Sequence, residues 1–167
     1  MTSIVSDRSD ARKKRIKYDV SFMGHDNNQE RSKYLQYFRG IVKKYNLRSI
    51  ISSEFVGKQK YFDAIRSSKA GLALRGIGRD TWKYWEIPSV GSLLISQLVP
   101  LNIPNNFIDE ESALFFKDKE ELERKIKRYV IDSEEWKEIA RNGCKQFFKY
   151  HTPNDRIKNL LESVKEA

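Results

Sequence analysis

From Tyr18 to Gln97 the chain alternates short apolar runs with segments whose apolar residues recur every three or four positions. The runs are YDVSFMG (Tyr18–Gly24), LRSIIS (Leu47–Ser52), AGLALR (Ala70–Arg75) and SLLISQ (Ser92–Gln97). Between them, Gln29–Tyr45 places Leu35, Phe38, Ile41, Val42 and Tyr45 on one helical face. Lys58–Ser67 does the same with Tyr61, Phe62 and Ile65. Thr81–Val90 reads as a short helix that Pro88 interrupts or ends. Strands separated by helices cannot pair as tight hairpins, so the pattern predicts a parallel sheet with helices on its faces, an α/β Rossmann-like fold. Ligands of such sheets bind beyond the carboxyl ends of the strands. Two loops qualify, the one after Met23 and the one after Leu74.

The last third is expected to be helical. Asp118 with Glu121 has capping-box spacing ahead of Leu122, Ile126, Tyr129 and Val130. Ser133 can cap a helix carrying Trp136, Ile139, Ala140, Cys144, Phe147 and Phe148. Thr152 and Pro153 suit the start of a final helix with Ile157, Leu160, Leu161 and Val164. Residues 1–17 are polar and aperiodic and read as a basic arm or linker, leaving 18–167 as one domain.

The formal charge is +9, and Arg8, Arg12, Lys13, Lys14, Arg15 and Lys17 put much of it in the arm. A basic excess suits any polyanion. Its concentration in a tail, without interleaved aromatics, argues against a nucleic-acid partner. Cys144 is the single cysteine, which excludes an internal disulfide and a structural zinc site and favours a reducing compartment. No apolar run approaches the roughly 20 residues of a membrane helix, and no signal peptide opens the chain. A cytoplasmic, soluble protein is expected.

The segment RGIGRDTWKYWEIPSVG is the richest in candidate chemistry. It follows a strand, turns on Gly76 and Gly78, and opens a helix at Asp80 or Thr81. Free N–H groups at such a helix start favour a diphosphate, and Arg75, Arg79 and Lys83 add positive charge. Glu86 lies about one and a half turns on, where a carboxylate can accept both hydroxyls of a ribose. The same residues also describe an ordinary strand–turn–helix with an exposed charged face, since a glycine-containing loop is weak evidence alone. Elsewhere, His25 reads as a solvated loop histidine and His151 as a packing or capping residue. Cys144, Trp85 and Trp136 read as core, and Trp82 as a candidate for the cleft border. The Lys/Glu run from Lys117 to Arg128 reads as a solvated helix face.

RGIGRDTWKYWEIPSVGSLLIS resembles the donor-binding stretch of the group 1 glycosyltransferases, in particular the spore maturation CgeB type, through Trp85, Glu86, Ile87, Pro88 and Gly91. The likeness continues through PNNFIDEESALFFKDKEELERKIKRYV to HTPNDR, where His151, Thr152 and Arg156 match. Upstream it includes YDVSFMG and Arg31. A more distant similarity is to exostosin-like transferases. The resemblance implies one half of a GT-B architecture, holding a nucleotide-sugar without a metal or other cofactor. It implies Glu86 at the ribose and Arg31 or Arg79 facing the diphosphate, with Gly24 in the opposite loop. Two positions depart from it. Gly78 stands where many retaining members have a second glutamate, and Lys83 stands where the family has arginine, which keeps the charge and loses the bidentate fork. The length leaves out an acceptor-binding half.

Two functions remain open at this point. One is transfer of a sugar from a nucleotide-sugar to an acceptor held by an N-terminal partner subunit or by a second copy of the chain. The other is a non-catalytic nucleotide- or partner-binding module built on the same half.

Overall fold

In the computed structural model the described residues are 15–26, 28–54, 56–76, 81–98 and 101–165. Strands β1 (Tyr18–Met23), β2 (Ser49–Ser52), β3 (Ser68–Ala73), β4 (Leu93–Gln97) and β5 (Leu114–Phe116) form one parallel sheet in the order β2-β1-β3-β4-β5. The helices are α1 (Gln29–Lys44), α2 (Lys58–Arg66), α3 (Trp82–Ser89), α4 (Lys119–Lys125), α5 (Trp136–Tyr150) and α6 (Pro153–Lys165). A π-helical turn, Ile126–Ile131, prolongs α4.

The period-two alternation of the strands sorts the core onto two faces. Val20, Phe22, Ala70, Leu72, Leu93, Ile95, Leu114 and Phe116 pack with Leu35, Phe38 and Ile41 of α1 and with Leu122 and Ile126. Met23, Ala73 and Leu94 face the other way, toward Ala64 and Ile65 of α2 and Tyr84, Trp85 and Ile87 of α3. Helix α5 serves both faces, giving Trp136, Ile139 and Ala140 to the first and Phe147 to the second. Each large apolar side chain so buried contributes roughly 1.5–3 kcal/mol before conformational entropy is set against it. Two glycines let helices approach closely. Ile87 lies over Gly71, where an added Cβ would sit 2.9 Å from its Cδ1, and Gly143 of α5 sits directly against the Ser112 carbonyl.

The predicted β3 ran from Ala70 to Arg75, but the strand starts at Ser68 and ends at Ala73 because the Arg75 N–H turns to the Gln97 side chain. Leu47 was expected in β2; its N–H instead bonds the Val42 carbonyl and closes α1. The expectation of a wholly helical last third is corrected by β5, whose three residues pair with β4 at the sheet edge. The expected solvated face from Lys117 to Arg128 is corrected at Lys125. Its side chain is 1% exposed and its ammonium reaches Asp109, Glu110 and Glu121. Cys144 is half-buried rather than core, and Phe148 is exposed, because α5 turns those positions away from the sheet. In α6, Ile157, Leu161 and Val164 are exposed. The expected caps hold at Asp118, whose carboxylate accepts from Glu121 N–H, and at Thr152, whose hydroxyl accepts from Asp155 N–H. Most of the expected arm lies outside the described residues. Its end is tied down, since Ile16 packs on the first core face and Lys17 N–H bonds the Ser67 carbonyl.

Candidate functional site

The strand order reverses between β1 and β3, the point at whose carboxyl edge open α/β sheets hold their ligands. Arg31, in the first turn of α1, ties the two loops together. It is 5% exposed; its Nε donates to the Arg75 carbonyl (2.8 Å), Nη1 to His25 (2.7 Å) and Nη2 to Leu74 (3.0 Å). Asn28 caps α1 by accepting from Arg31 N–H at 2.7 Å, and its amide reaches the Arg75 carbonyl. Gly76 leaves room for this arrangement, because a Cβ there would lie 2.9 Å from Arg31 Nη2.

Lys83 reaches this edge from α3. Its ammonium lies against Gly24, so closely that a Cβ on Gly24 would overlap it, and 5.7 Å from the centre of the Phe22 ring. Burial, then the Arg31 charge, pull its pKa below the ordinary lysine value, with Glu86 opposing. Among the described residues it makes no ion pair within salt-bridge distance. Thr81 takes the N-cap position of α3, but its hydroxyl makes no capping bond and is buried without a partner. Glu86, on the next turn of α3, accepts a hydrogen bond at Oε2 from the Tyr61 hydroxyl of α2. Arg75 faces Glu30 at 3.4 Å, and Gln97 bridges the two by bonding Arg75 N–H and Glu30.

Of the sequence-predicted residues, the structure thus brings Gly24, Arg31, Arg75, Thr81, Lys83 and Glu86 to one edge of the sheet. Arg79 and Asp80 lie outside the described residues. His25 is exposed in its loop, and Trp82 is 83% exposed at the start of α3. Sequence reasoning missed Tyr61, which reads there as one more apolar residue of a helical stripe, and the Gln97–Glu30 bridge. The available signal was position: Tyr61 is in the first turn of a helix that starts at the carboxyl edge, as candidate site residues do.

A second group supports α3 from behind. His151 is buried and its Nε2 donates to the Asn105 carbonyl at 2.8 Å. Its ring packs on Trp85 (4.8 Å) and Phe107 (5.4 Å). Arg156, one turn into α6, also lies over the Trp85 ring at 4.4 Å. Among the described residues no three His, Cys, Asp or Glu side chains are grouped to hold a metal ion, and no helix is long and apolar enough to cross a membrane.

A model of the glycosyl transferase-like family matches residues 10–162. No curated protein matches the chain. Among solved structures it is similar to the C-terminal domain of a glycosyl transferase group 1 family protein (LpcC) from Francisella tularensis, with TM-score 0.64 and 13% identity over 83% of this chain and 88% of that one. It is also similar to TarM, with TM-score 0.65 and 10% identity over 86% of this chain and 34% of that one. Sucrose-phosphate synthase from Thermosynechococcus elongatus gives TM-score 0.54 and 16% identity over 88% and 38%. At these identities the likeness establishes the fold, the Rossmann-like C-terminal half of a GT-B architecture. The chain spans about a third of TarM and of the synthase.

Proposed function

Because the chain belongs to the glycosyl transferase-like family, we propose that it is the donor-holding half of a transferase that moves a sugar from a nucleotide-sugar to an acceptor. One observation carries this reading: the Lys83 ammonium stands at the β1/β3 switch point against Gly24, beside a helix start that Thr81 does not cap. A diphosphate laid across that point would meet a cation, a free hydroxyl and the first N–H groups of α3. Glu86 would accept the ribose hydroxyls, and Arg79 and Asp80, which directly precede Thr81 in the sequence, are assigned to the donor on the sequence alone. Arg31 contributes positive field, three of its five N–H groups being given to carbonyls. In this reading these groups carry the charge of the donor without a resident metal. Within the family the Trp85–Pro88 run and His151–Arg156 support the spore maturation type. The acceptor half would come from an N-terminal partner or a second copy, in the cytoplasm.

The alternative, a non-catalytic nucleotide- or partner-binding module, draws on one observation as well. Two of the three described cations at the mouth are engaged internally, Arg31 by three carbonyls and Arg75 by Glu30. Calorimetry with uridine, guanosine and adenosine diphosphates tests the shared premise. Binding of at least one is expected, weakened about tenfold by Lys83→Ala, the scale of a lost hydrogen bond to a charged group. Absence of binding by all three sinks the enzyme and the nucleotide-binding module, and leaves only partner binding. A transfer assay then separates them: turnover that requires an added acceptor half supports the enzyme, and none under any pairing supports the module.

A further inference from the structure

We infer that Tyr61 is a positioning residue for Glu86, holding one carboxylate oxygen so that the site selects a ribose over a deoxyribose. The inference rests on the nucleotide-binding reading above and deepens it.

Tyr61 belongs to the first turn of α2, which begins just beyond the carboxyl end of β2. Its ring is half-buried and meets Phe62 edge-on at 5.2 Å, which restricts its rotation. From there its hydroxyl donates to Glu86 Oε2 across the gap between α2 and α3. A carboxylate offers about four acceptor sites, and this bond takes one. Among the described residues no other N–H or O–H group donates to the Glu86 side chain, so sites for two hydroxyls remain. The pair is not remote from the switch point: the Glu86 charge acts on Lys83, whose ammonium touches Gly24. Burial and then the bond to Glu86 push the Tyr61 pKa above its ordinary value, so the phenol stays protonated, and a donor, at neutral pH. A carboxylate without Tyr61 would rotate about its terminal torsions, which are broad. Held by Tyr61, it presents its free acceptors in one orientation. A ligand lacking a ribose hydroxyl then leaves an acceptor unfilled, which is how a site built for a hydroxyl rejects its deoxy analogue.

The experiment measures affinities of a ribonucleoside diphosphate and its 2′-deoxy counterpart, for wild type, Tyr61→Phe, Glu86→Ala and the double variant, with thermal melts to confirm folding. Wild type is expected to prefer the ribonucleotide about tenfold. Tyr61→Phe is expected to reduce that preference at least about threefold while leaving deoxynucleotide affinity near wild type, and to change nothing further in the Glu86→Ala background. A folded Tyr61→Phe that keeps the full preference, or an equal effect with and without Glu86, overturns the inference while the nucleotide site stands. If wild type binds neither nucleotide, or binds both alike, the reading of Glu86 itself falls and takes the inference with it. If Tyr61→Phe does not fold, Tyr61→Leu, which keeps an apolar side chain and removes the donor, must show the same loss; a folded Tyr61→Leu that keeps the full preference overturns the inference.

Discussion

The Arg156 guanidinium lies 4.4 Å from the centre of the Trp85 ring, so a residue of the last helix grips the one immediately before Glu86. Arg156→Ala should therefore destabilise by about 0.5–1 kcal/mol, the range for a cation–π contact near the surface. Arg156→Lys should recover part of it. Denaturant unfolding of the three proteins measures this, and equal midpoints would dissociate α6 from the support of α3.

His151 should make stability fall on mild acidification. Burial, opposed by its bond to Asn105, holds its pKa below the ordinary 6.5. The unfolded chain therefore takes up a proton that the folded chain resists, and stability drops as pH falls from about 6.5 toward the folded value. Melting temperature against pH should show this slope in wild type and a flatter one in His151→Gln. Asp19 and Glu123 act in a different window. Both have lowered pKa values, Glu123 down to about 2, so their contributions are lost only below the ordinary carboxylate range.

Two glycines on helices should respond to alanine with opposite signs. A Cβ on Gly143 would run into the Ser112 carbonyl, while one on Gly40 meets nothing within 4 Å. Gly143→Ala should cost about 1–3 kcal/mol through overpacking. Gly40→Ala should gain about 0.5–1 kcal/mol from helix propensity. The same unfolding assay reads both, and a stabilising Gly143→Ala would contradict the close approach.

Lys125→Ala should cost about 3 kcal/mol. It removes a buried cation from Asp109, Glu110 and Glu121, leaves the carboxylates repelling one another, and opens a cavity. Their own partial exposure should keep the loss at the lower end. A loss no larger than that of an exposed lysine such as Lys158 would show that the cluster is not coupled to folding.

Much of this molecule is visible in its periodicities. The alternation from Tyr18 to Gln97 is a local pattern, and it predicts four of the five strands and the helices between them. β5 has only three residues and is held by its neighbour β4, a long-range partner no local window contains. The π-helical turn at Ile126–Ile131 sits inside a correctly predicted helical stretch, since widening a hydrogen-bond ladder leaves the apolar stripe nearly unchanged. At the site, glycines, cations and Glu86 stand out in the chain because their types are chemically conspicuous. What their side chains are bonded to does not: the resemblance implies Arg31 facing a diphosphate, and only the fold reveals three carbonyls around it.

Those three carbonyls have a consequence for variation. Arg31 grips the backbone at His25, Leu74 and Arg75, and a carbonyl is the same whatever side chain follows it. The clamp is therefore blind to sequence at His25 and Arg75, while the core still constrains Leu74. In the reading proposed above, substitutions at His25 and Arg75 can change what the mouth recognises while Arg31 keeps its hold on the backbone, those at Arg75 also removing the pair with Glu30. A library randomised at these two positions, with Arg31 and Gly76 kept, would explore ligand preference on a scaffold that stays in place.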